Sequence, residues 1–579
     1  MDCLIDALKV LRGSSKEAVE NINAFQPFKK YMHIKRNIQD ELMNIIQQAN
    51  MSTHKQLILV CGSVGDGKSH ILSYLKHEMK VLDQFYLHND ATESISPDMT
   101  SIETLDKVLN EFRDENLENG KIEKVIVAVN LGTLNNFIDS EIGSHYSKLA
   151  QYVEDNEILR SYTHVSQYDG NNFFQHINFS DYHLFELTKQ GKHIDSFYIR
   201  ELINKIVQEK EENPFYVSQY QCKECAIGDN CPVKHNYELL KNQQVQNAII
   251  TILVETMIKF KIIISTRSLL NFFYDILVGQ EFSKSKFMAL NYEDKMKLYI
   301  RSLMPNLLFS HPDYSNVLEQ VCKIDPLSVR SESVDEIIVR FSILDDVLTL
   351  LKENLYDNVY VQALEGMEIN KRAQEQKETK KLLLELFIRL YKLIGVEGKL
   401  EMEDQVFDEF VDALYSYNAN NIKGLKELYA NLKEAIFRWN GGITKKTVGI
   451  NVGTNQFKYR VSQELKIEEY IEPAQMNTNV KIERFVPYIK ATICDEKEER
   501  KESINVDFAL FKLIRDIKNG YRPNVKDKNN FISFVNLVDK VYEYGDKKKE
   551  VMIESKDTES IARYILKKSK FGFEFERVE

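Results

Sequence analysis

The stretch that most constrains the fold of this chain is LILVCGSVGDGKSH, residues 57–70. The apolar run over 57–60 is typical of a strand buried on both faces of a parallel sheet. A glycine-rich loop follows over 62–69, and the apolar positions 71, 72, 75 and 79 beyond it have helical spacing. Strand, loop and helix together match the pattern G-x-x-x-x-G-K-[ST], which predicts a phosphate-binding loop.

Each residue type in this loop suits an anionic ligand. Glycines let backbone N–H groups approach phosphate oxygens without a Cβ clash, and the lysine can reach the outer phosphates. The serine hydroxyl can bind Mg²⁺, and the following helix directs the positive end of its dipole to the same place. A glycine-rich turn beside a surface lysine is the alternative, but it leaves the flanking strand and helix unexplained. We therefore expect ATP and Mg²⁺ to be held by Gly62, Ser63, Val64, Gly65, Asp66, Gly67, Lys68, Ser69 (for Mg²⁺) and His70.

Three further apolar runs predict the rest of a parallel sheet. Strands are expected over 85–88, 124–130 and 261–266, with helices over 101–120 and 247–260 between them. Strands that alternate with helices imply βαβ units. The expected fold class is α/β: a P-loop NTPase core with a parallel sheet, AAA+/ASCE-like, a helical lid region and a C-terminal α+β region.

Changes in pattern along the chain predict its domains. The aromatic stretch over 171–187 alternates as a β-hairpin does, and it lies with a cysteine cluster between the third and fourth predicted strands. The expected regions are an N-terminal helical segment (1–50), the NTPase core (51–285) with a cysteine-containing insertion at about 133–242, a helical region (286–400) and a C-terminal α+β region (401–579).

The acid that a P-loop ATPase needs is missing from its usual place. Such enzymes hold Mg²⁺ partly through an Asp at the end of a later buried strand, whereas the strand over 124–130 ends at Asn130. An amide can hold a water but cannot act as a base. Asp90, after the second predicted strand, is the nearest plausible carboxylate, although it also fits an ordinary turn. The candidate catalytic residues are Lys68, Asp90 and Asn130, and hydrolysis by this chain alone stays open.

Polar residues also follow the predicted strand over 261–266. Ser265, Thr266 and Arg267 stand where the carboxyl end of a parallel strand faces a ligand crevice, so we expect Thr266 and Arg267 to sense the nucleotide. The alternative is a helix N-cap by Thr266 or Ser268, and both roles are compatible.

A cysteine cluster has the spacing C-x₂-C-x₅-C-x₃-H, formed by Cys222, Cys225, Cys231 and His235. Thiolates and imidazole on a turn rich in Gly and Asn suit tetrahedral zinc, and such a zinc would be structural, folding a segment with little core of its own. Free thiols on a loop and an iron–sulfur cluster are the alternatives. The histidines that could replace His235 are His176, His183 and His193.

Composition limits the partners and the compartment. The chain has 76 Lys and Arg against 87 Asp and Glu, a net charge of −11, which makes a poor stand-alone DNA binder because DNA binding depends on neutralising phosphates. No apolar run approaches the ~18 residues of a membrane span, and the N-terminal stretch lacks the apolar core of a signal peptide. Seven cysteines, three of them clustered, suit a reducing compartment, so a cytoplasmic location is expected.

Several segments together resemble the DptF (DndF) family of bacterial DNA phosphorothioation-dependent restriction proteins. They cover roughly residues 1–310 and are KRNIQDEL (35–42), CGSVGDGKSHILSYLK (61–76), FYLHNDATES (85–94), VAVNLGTLNNF (127–137) and IIISTRSLLNFFYDIL (262–277), together with the cysteine segment.

The resemblance implies an ATP-binding subunit, expected to be an ATPase, of a system that spares phosphorothioated self DNA and damages unmodified foreign DNA. It implies the partner proteins DptG and DptH, the latter a helicase-like ATPase, with DNA contacted through them; a homo-oligomer is also possible. The family's phosphate-binding motif carries over residue by residue, whereas its Walker B acid does not, because Asn130 stands there. The alternatives are a nucleotide-gated assembly scaffold with little hydrolysis and a P-loop defence or signalling ATPase of the STAND or KAP type.

Overall fold

A computed structural model gives two compact units, Met1–Glu186 with Ile194–Glu403, and Leu187–His193 with Asp404–Glu579. The residues that it describes are 3–20, 27–92, 98–159, 167–188, 194–222, 225–329, 332–355, 358–367, 369, 377–394, 404–441, 443–444, 446–450, 458–474, 481–545, 550–555 and 562–578.

The first unit is built on a four-stranded, all-parallel sheet, which confirms the α/β class and the parallel sheet. Its strands are β1 (Gln56–Cys61), β2 (Tyr86–His88), β3 (Lys124–Val129) and β4 (Phe174–Asn178), in the spatial order β2-β3-β1-β4. In this register Cys61, the last residue of β1, lies opposite Val129 on one side and Asn178 on the other. The carboxyl ends of β1, β3 and β4 therefore meet at one edge of the sheet.

Helices make up most of the rest of this unit. Between the N-terminus and β4 they are α1 (Leu4–Glu20), α2 (Pro27–Tyr31), α3 (Asn37–Met51), α4 (Lys68–His77), α5 (Ser101–Leu109), α6 (Leu131–Ile138) and α7 (Ser147–Asp155). After β4 they are α8 (Phe197–Val207), α9 (Pro214–Gln221), α10 (Pro232–Leu240), α11 (Gln243–Phe260), α12 (Thr266–Leu277), α13 (Lys284–Ala289), α14 (Tyr292–Arg301), α15 (Met304–Ser310), α16 (Asn316–Val321), α17 (Glu332–Ile343), α18 (Thr349–Leu355), α19 (Val359–Gly366) and α20 (Lys377–Ile394).

Both faces of the sheet are covered, which explains why β1 is apolar along its whole length. Side chains alternate between the faces of a strand. Ile58 and Val60 pack with residues of α3 and α4, whereas Leu57, Leu59 and Cys61 pack with residues of α5, α6 and α7. A continuous hydrophobic run is what burial on two sides demands.

The prediction of a strand over 261–266 is wrong. Residues 261–265 form no strand, Lys261 has a left-handed φ of 54° and α12 begins at Thr266. Ile263 is 74% exposed, so this apolar run is not buried on both sides. A strand has two edges, and those of β1 are taken by β3 and β4.

The β-hairpin predicted over 171–187 is also wrong. Within that stretch β4 joins the parallel sheet, and a 3₁₀ turn over Phe179–Asp181 follows it. The next short strand, β5 (Glu186–Thr188), pairs antiparallel with Lys481–Ile482 instead. Part of the range 133–242 therefore belongs to the sheet, because β4 lies inside it.

The second unit combines helices with antiparallel strands. After β6 (Ile194–Asp195) of the first unit, the strands are β7 (Thr447–Gly449), β8 (Tyr459–Glu464), β9 (Ile467–Tyr470), β10 (Lys481–Ile482), β11 (Ile489–Asp495), β12 (Lys501–Val506), β13 (Glu550–Ser555), β14 (Arg563–Ser569) and β15 (Gly572–Arg577). Two of the sheets have the strand orders β12-β11-β9 and β15-β14-β13-β8-β7. The helices are α21 (Gln405–Asn418), α22 (Ile422–Trp439), α23 (Phe508–Lys518), α24 (Val525–Asn530) and α25 (Ile532–Tyr542).

Of the helices that the structure describes in either unit, none is long and apolar enough to cross a bilayer.

Candidate phosphate-binding site

The glycine-rich loop leaves the carboxyl end of β1 and enters α4 at Lys68. Gly62, Gly65 and Gly67 have φ values of 147°, 89° and 91°, a region that side chains with a Cβ rarely adopt. The predicted strand and helix on either side of the loop are both confirmed. The loop thus presents its backbone at the edge of the sheet where ligands of α/β folds bind.

Two of these glycines also allow close contacts with other segments. A Cβ on Gly62 would lie 2.8 Å from the Cβ of Phe179, and one on Gly65 would lie 2.5 Å from the Cβ of Ser265. The N–H of Thr266 donates to the carbonyl of Gly65 at 3.2 Å. The loop is therefore held between the turn after β4 and the start of α12.

Lys68 is bonded to the loop itself. Its Nζ donates to the carbonyls of Gly62 at 2.8 Å and Ser63 at 2.7 Å. Burial lowers the pKa of Lys68, and the nearby carboxylates of Asp66 and Asp90 oppose that shift. The ammonium is thus held over the loop, where an outer phosphate oxygen could replace the two carbonyls.

Asp66 places a carboxylate against the same backbone. Its Oδ2 accepts from the N–H of Ser63 at 2.6 Å and from the hydroxyl of Ser180 at 3.3 Å. Burial raises the pKa of Asp66, while Lys68 and the Ser63 N–H oppose the shift. One loop N–H that could bind phosphate is therefore bonded to a side chain of the loop.

Arg36 joins the loop to two other segments. Its guanidinium donates to the carbonyl of Asp66 and to the carbonyl of Tyr182, both at 3.2 Å. It also lies over the ring of Tyr198, 5.5 Å from the centroid, and the Tyr198 hydroxyl donates to Thr266 Oγ1 at 3.3 Å. This adds a positive charge beside the predicted anion site.

Two histidines lie behind the loop. His33 Nδ1 and His70 Nε2 are 3.0 Å apart, and the His33 ring stacks on Tyr74 with centroids 3.7 Å apart. Burial lowers the pKa of each histidine to about 4. Both imidazoles are therefore neutral at pH 7, and His70 adds no charge to the site.

Asn130 follows β3 and Asp90 follows β2, and the two side chains make different contacts at the carboxyl ends of these strands. Asn130 caps α6, since its Oδ1 accepts from the N–H of Thr133 at 2.7 Å. Asp90 Oδ1 accepts from the N–H and hydroxyl of Thr92 at 2.9 and 2.6 Å, and its charge is felt by Lys68. Of the two, only Asp90 supplies a carboxylate to the surroundings of the lysine.

The remaining residues predicted to bind the nucleotide differ in their exposure and in their contacts with the loop. Thr266 contacts the loop through its backbone, and the N-cap of α12 is Ser265, whose Oγ accepts from the Ser268 N–H at 3.1 Å. Arg267 is exposed. Ser69 lies in the first turn of α4, whereas Val64 is 82% exposed at the loop tip.

Sequence reasoning missed several residues of the site. Ser180 and Asp181 follow β4, where the alternating pattern had predicted a hairpin, and Arg36 lies in the segment before α3. Asp181 is 4% exposed, and its Oδ1 accepts from Asn178 Nδ2 at 3.1 Å. The usable signal was the pair of polar residues Ser180 and Asp181 directly after the aromatic-rich stretch over 173–179.

The predicted zinc ligands lie elsewhere in this unit. Cys222, Cys231 and His235 are buried and Cys225 is partly exposed. His235 Nδ1 is 2.7 Å from the hydroxyl of Tyr299. Among the described residues, no group of three or more His, Cys, Asp or Glu side chains is arranged so that it could hold a metal ion; His193 lies outside those residues.

Comparisons with protein-family models, with curated proteins and with solved structures gave no match. The functional argument therefore depends on the residues and geometry described above.

Proposed function

We propose that this chain is an ATP-binding subunit whose site is the loop over 62–69. The observation that carries the proposal is a glycine-rich loop between a buried parallel strand and a helix N-terminus, with Lys68 Nζ held over its backbone. Loops of this composition at this position bind phosphate through converging N–H groups and a lysine. The finer P-loop NTPase assignment, AAA+/ASCE-like, belongs to the same proposal.

In the proposed complex each residue of the loop has a separate task. Lys68 exchanges its bonds with the carbonyls of Gly62 and Ser63 for bonds with the outer phosphates. The N–H of Ser63 leaves Asp66 for a phosphate oxygen. The hydroxyl of Ser69 takes part in holding Mg²⁺, which supplies charge neutralisation for the phosphates when it is bound. Thr266, beside Gly65, couples the nucleotide to α12.

We propose that nucleotide binding acts first as a switch, with hydrolysis dependent on Asp90 or on a partner. Asn130 cannot accept a proton from water, and its Oδ1 already caps α6. The charges of two carboxylates reach Lys68, those of Asp66 and Asp90, and Asp66 is bonded to the loop N–H of Ser63. The proposal therefore has two versions. In one the chain is an ATPase whose turnover powers restriction, and in the other it is a nucleotide-gated scaffold with little hydrolysis.

The biological setting that we propose is DNA phosphorothioation-dependent restriction of unmodified foreign DNA. It is supported by the resemblance of the segments over 35–42, 61–76, 85–94, 127–137 and 262–277, with DptG and DptH as partners. A net charge of −11 fits a subunit that reaches DNA through partners. Another P-loop defence or signalling ATPase is the alternative setting.

The test measures ATP binding and phosphate release by the purified chain, with and without its partners. The variants are Lys68→Ala and Asp90→Asn, and the control is Lys76→Ala, an exposed lysine of the same helix. We expect Lys68→Ala to weaken ATP binding by about tenfold or more, equivalent to about 1.4 kcal/mol or more, and Lys76→Ala to leave it unchanged.

The outcomes separate the two versions. Robust turnover by the isolated chain that both site variants abolish would contradict the scaffold version. Binding without turnover, even with partners, would contradict the ATPase version. If the folded wild type binds no nucleotide, both versions fail.

A further inference from the structure

The strand β15 of the second unit has a free edge. It lies at one end of the strand order β15-β14-β13-β8-β7, so it pairs with β14 and with no second strand in the described part of the chain. All six of its residues are exposed. It contains no proline, and its register with β14 runs without a bulge, so neither of these common barriers to further strand pairing is present.

The backbone groups on the free edge follow from the pairing with β14. The N–H of Val578 donates to the carbonyl of Arg563 at 2.8 Å, and the residues that bond with a given neighbour alternate along an antiparallel pair. The residues whose N–H and C=O groups are directed away from β14 are therefore Phe573, Phe575 and Arg577. A further strand would bond with these groups.

One face of β15 is aromatic. Phe573 and Phe575 are 72% and 60% exposed, and Phe575 stacks on Tyr564 with ring centroids 4.9 Å apart. The face continues across the sheet, because Leu566 lies opposite Phe575 and Ile553 lies opposite Tyr564, each of them partly exposed. Contiguous exposed apolar side chains of this kind are typical of interaction surfaces.

The other face of β15 is acidic. It carries Glu574 and Glu576, and the residue of β14 opposite Glu574 is Lys567. Lys567 Nζ lies 3.6 Å from a carboxylate oxygen of Glu576, whereas Glu574 has no ion-pair partner among the described residues. Two carboxylates therefore face one ammonium group, and negative charge is in excess beside the free edge.

This charge disfavours pairing of β15 with a second copy of itself. A two-fold antiparallel pair centred on Phe575 sets Glu574 opposite Glu576 of the second copy. A pair centred on either glutamate sets that residue opposite itself. Like charges directly opposite each other destabilise a sheet, whereas opposite charges stabilise it, so the free edge suits a strand that carries lysine or arginine at these positions.

We propose that the free edge of β15 binds an extended segment of a partner protein in which apolar residues alternate with lysine or arginine. The segment adds a sixth strand to the five-stranded sheet. Its apolar side chains lie beside Phe573 and Phe575, and its basic side chains lie beside Glu574 and Glu576. Main-chain bonds supply the affinity of such strand addition, and alternate side chains supply its specificity.

The proposal is independent of the nucleotide site, because it uses none of the residues over 62–69. Its test is a titration of the 579-residue chain with a fluorescent synthetic peptide of about nine residues in which valine alternates with lysine, long enough for one strand. A second peptide has glutamate in place of each lysine.

Charge reversal tests the acidic face. The variant is Glu574→Lys with Glu576→Lys, and the control is Glu498→Lys with Glu499→Lys, which makes the same change of charge at two exposed residues between β11 and β12. We expect the wild type and the control to bind the lysine peptide equally. The variant of β15 should bind it about tenfold more weakly and should prefer the glutamate peptide.

Phe575→Pro and Phe575→Thr separate main-chain bonding from side-chain contact. Both lose the ring, but only the proline variant loses an N–H directed to the free edge, where it breaks no bond with β14. We expect the lysine peptide to bind about fivefold more weakly to Phe575→Pro than to Phe575→Thr. In the wild type the peptide should also slow hydrogen exchange over 572–577.

Equal binding of the lysine peptide by the wild type and by the charge-reversed β15 variant would overturn the proposal, as would equal binding by the proline and threonine variants. If Phe575→Pro disrupts the sheet, charge reversal decides alone. A folded wild type that binds neither peptide at about 1 mM would overturn it too. So would dimerisation of the chain in sedimentation experiments that the charge-reversed β15 variant abolishes, because a second copy would then occupy the edge.

Discussion

Asp66 is an acidic residue in a loop that is expected to bind an anion. Its carboxylate accepts from the Ser63 N–H, so it occupies one group that the phosphates would need, and its charge acts on Lys68. A bound polyphosphate must displace these contacts and tolerate a neighbouring negative charge. We therefore expect Asp66 to lower the affinity of the proposed site for nucleotide.

We expect Asp66→Asn to tighten ATP binding about three- to tenfold, or roughly 1 kcal/mol. The amide keeps an acceptor for Ser63 but removes the repulsion of the phosphates. The measurement is titration with a fluorescent ATP analogue, with the exposed Asp83→Asn as control. Weaker binding in Asp66→Asn would show that the carboxylate holds the loop in its binding geometry instead.

The buried pair His33 and His70 makes the stability of the first unit depend on pH. The folded-state pKa of His33 and His70 is about 4, below the usual value of about 6.5. Only the unfolded chain therefore takes up protons between these values, so stability is complete above pH 6.5 and falls as the pH drops toward 4.

We expect α4 to open more easily at pH 5 than at pH 7, by on the order of 2 kcal/mol after allowance for solvent screening. The measurement is hydrogen exchange of the peptide over 68–77, corrected for the intrinsic rate. A double variant, His33→Gln with His70→Gln, should lose most of this dependence, whereas the exposed His54→Gln should keep it. Equal dependence in all three proteins would contradict the assignment.

At the scale of elements, the loop depends on its contact with the start of α12. The 2.5 Å separation that a Cβ on Gly65 would have from Ser265 leaves no space for a methyl group. Helix α12 is in turn held by the Ser265 cap and by the Thr266 bond to Gly65. Pushing the loop away from α12 would separate the expected sensor from the phosphates.

We expect Gly65→Ala to destabilise the first unit by about 2–3 kcal/mol and to reduce nucleotide affinity. Gly120→Ala is the matched control, because Gly120 also has a positive φ, 74°, but nothing lies within 4 Å of its added Cβ. It should cost only about 1 kcal/mol, the backbone part of the effect. Denaturant unfolding and ATP titration measure both quantities, and similar losses in the two variants would contradict the packing argument.

The elements that the sequence predicts correctly are those with a clear local pattern of apolar residues. β1, β3 and α4 carry an uninterrupted apolar run or helical spacing, and the structure confirms each within a few residues. β4 was hidden because Phe174–Asn178 mixes aromatic and polar residues, a pattern that also suits a hairpin. The run over 261–266 has the composition of a buried strand, but Ile263 is 74% exposed and residues 261–265 connect α11 to α12 without joining the sheet.

At the scale of the whole molecule, charge governs the choice of partner. With a net charge of −11, long-range repulsion opposes association with a polyanion. We therefore expect the isolated chain to bind duplex DNA no more tightly than about 10⁻⁴–10⁻⁶ M at physiological salt, the range of non-specific binding. A fluorescence-anisotropy titration at two salt concentrations checks this, and sub-micromolar binding by the chain alone would contradict the indirect-contact proposal.

What the sequence by itself determined is the glycine-rich loop between its strand and its helix, together with the parallel α/β class. These features follow from the composition and periodicity of neighbouring residues. Only the tertiary structure decided that β4 borders β1 and that Arg36 and Ser180 adjoin the loop. The partners in each of these contacts are more than about 25 residues apart, and local periodicity does not specify which distant segments pack together.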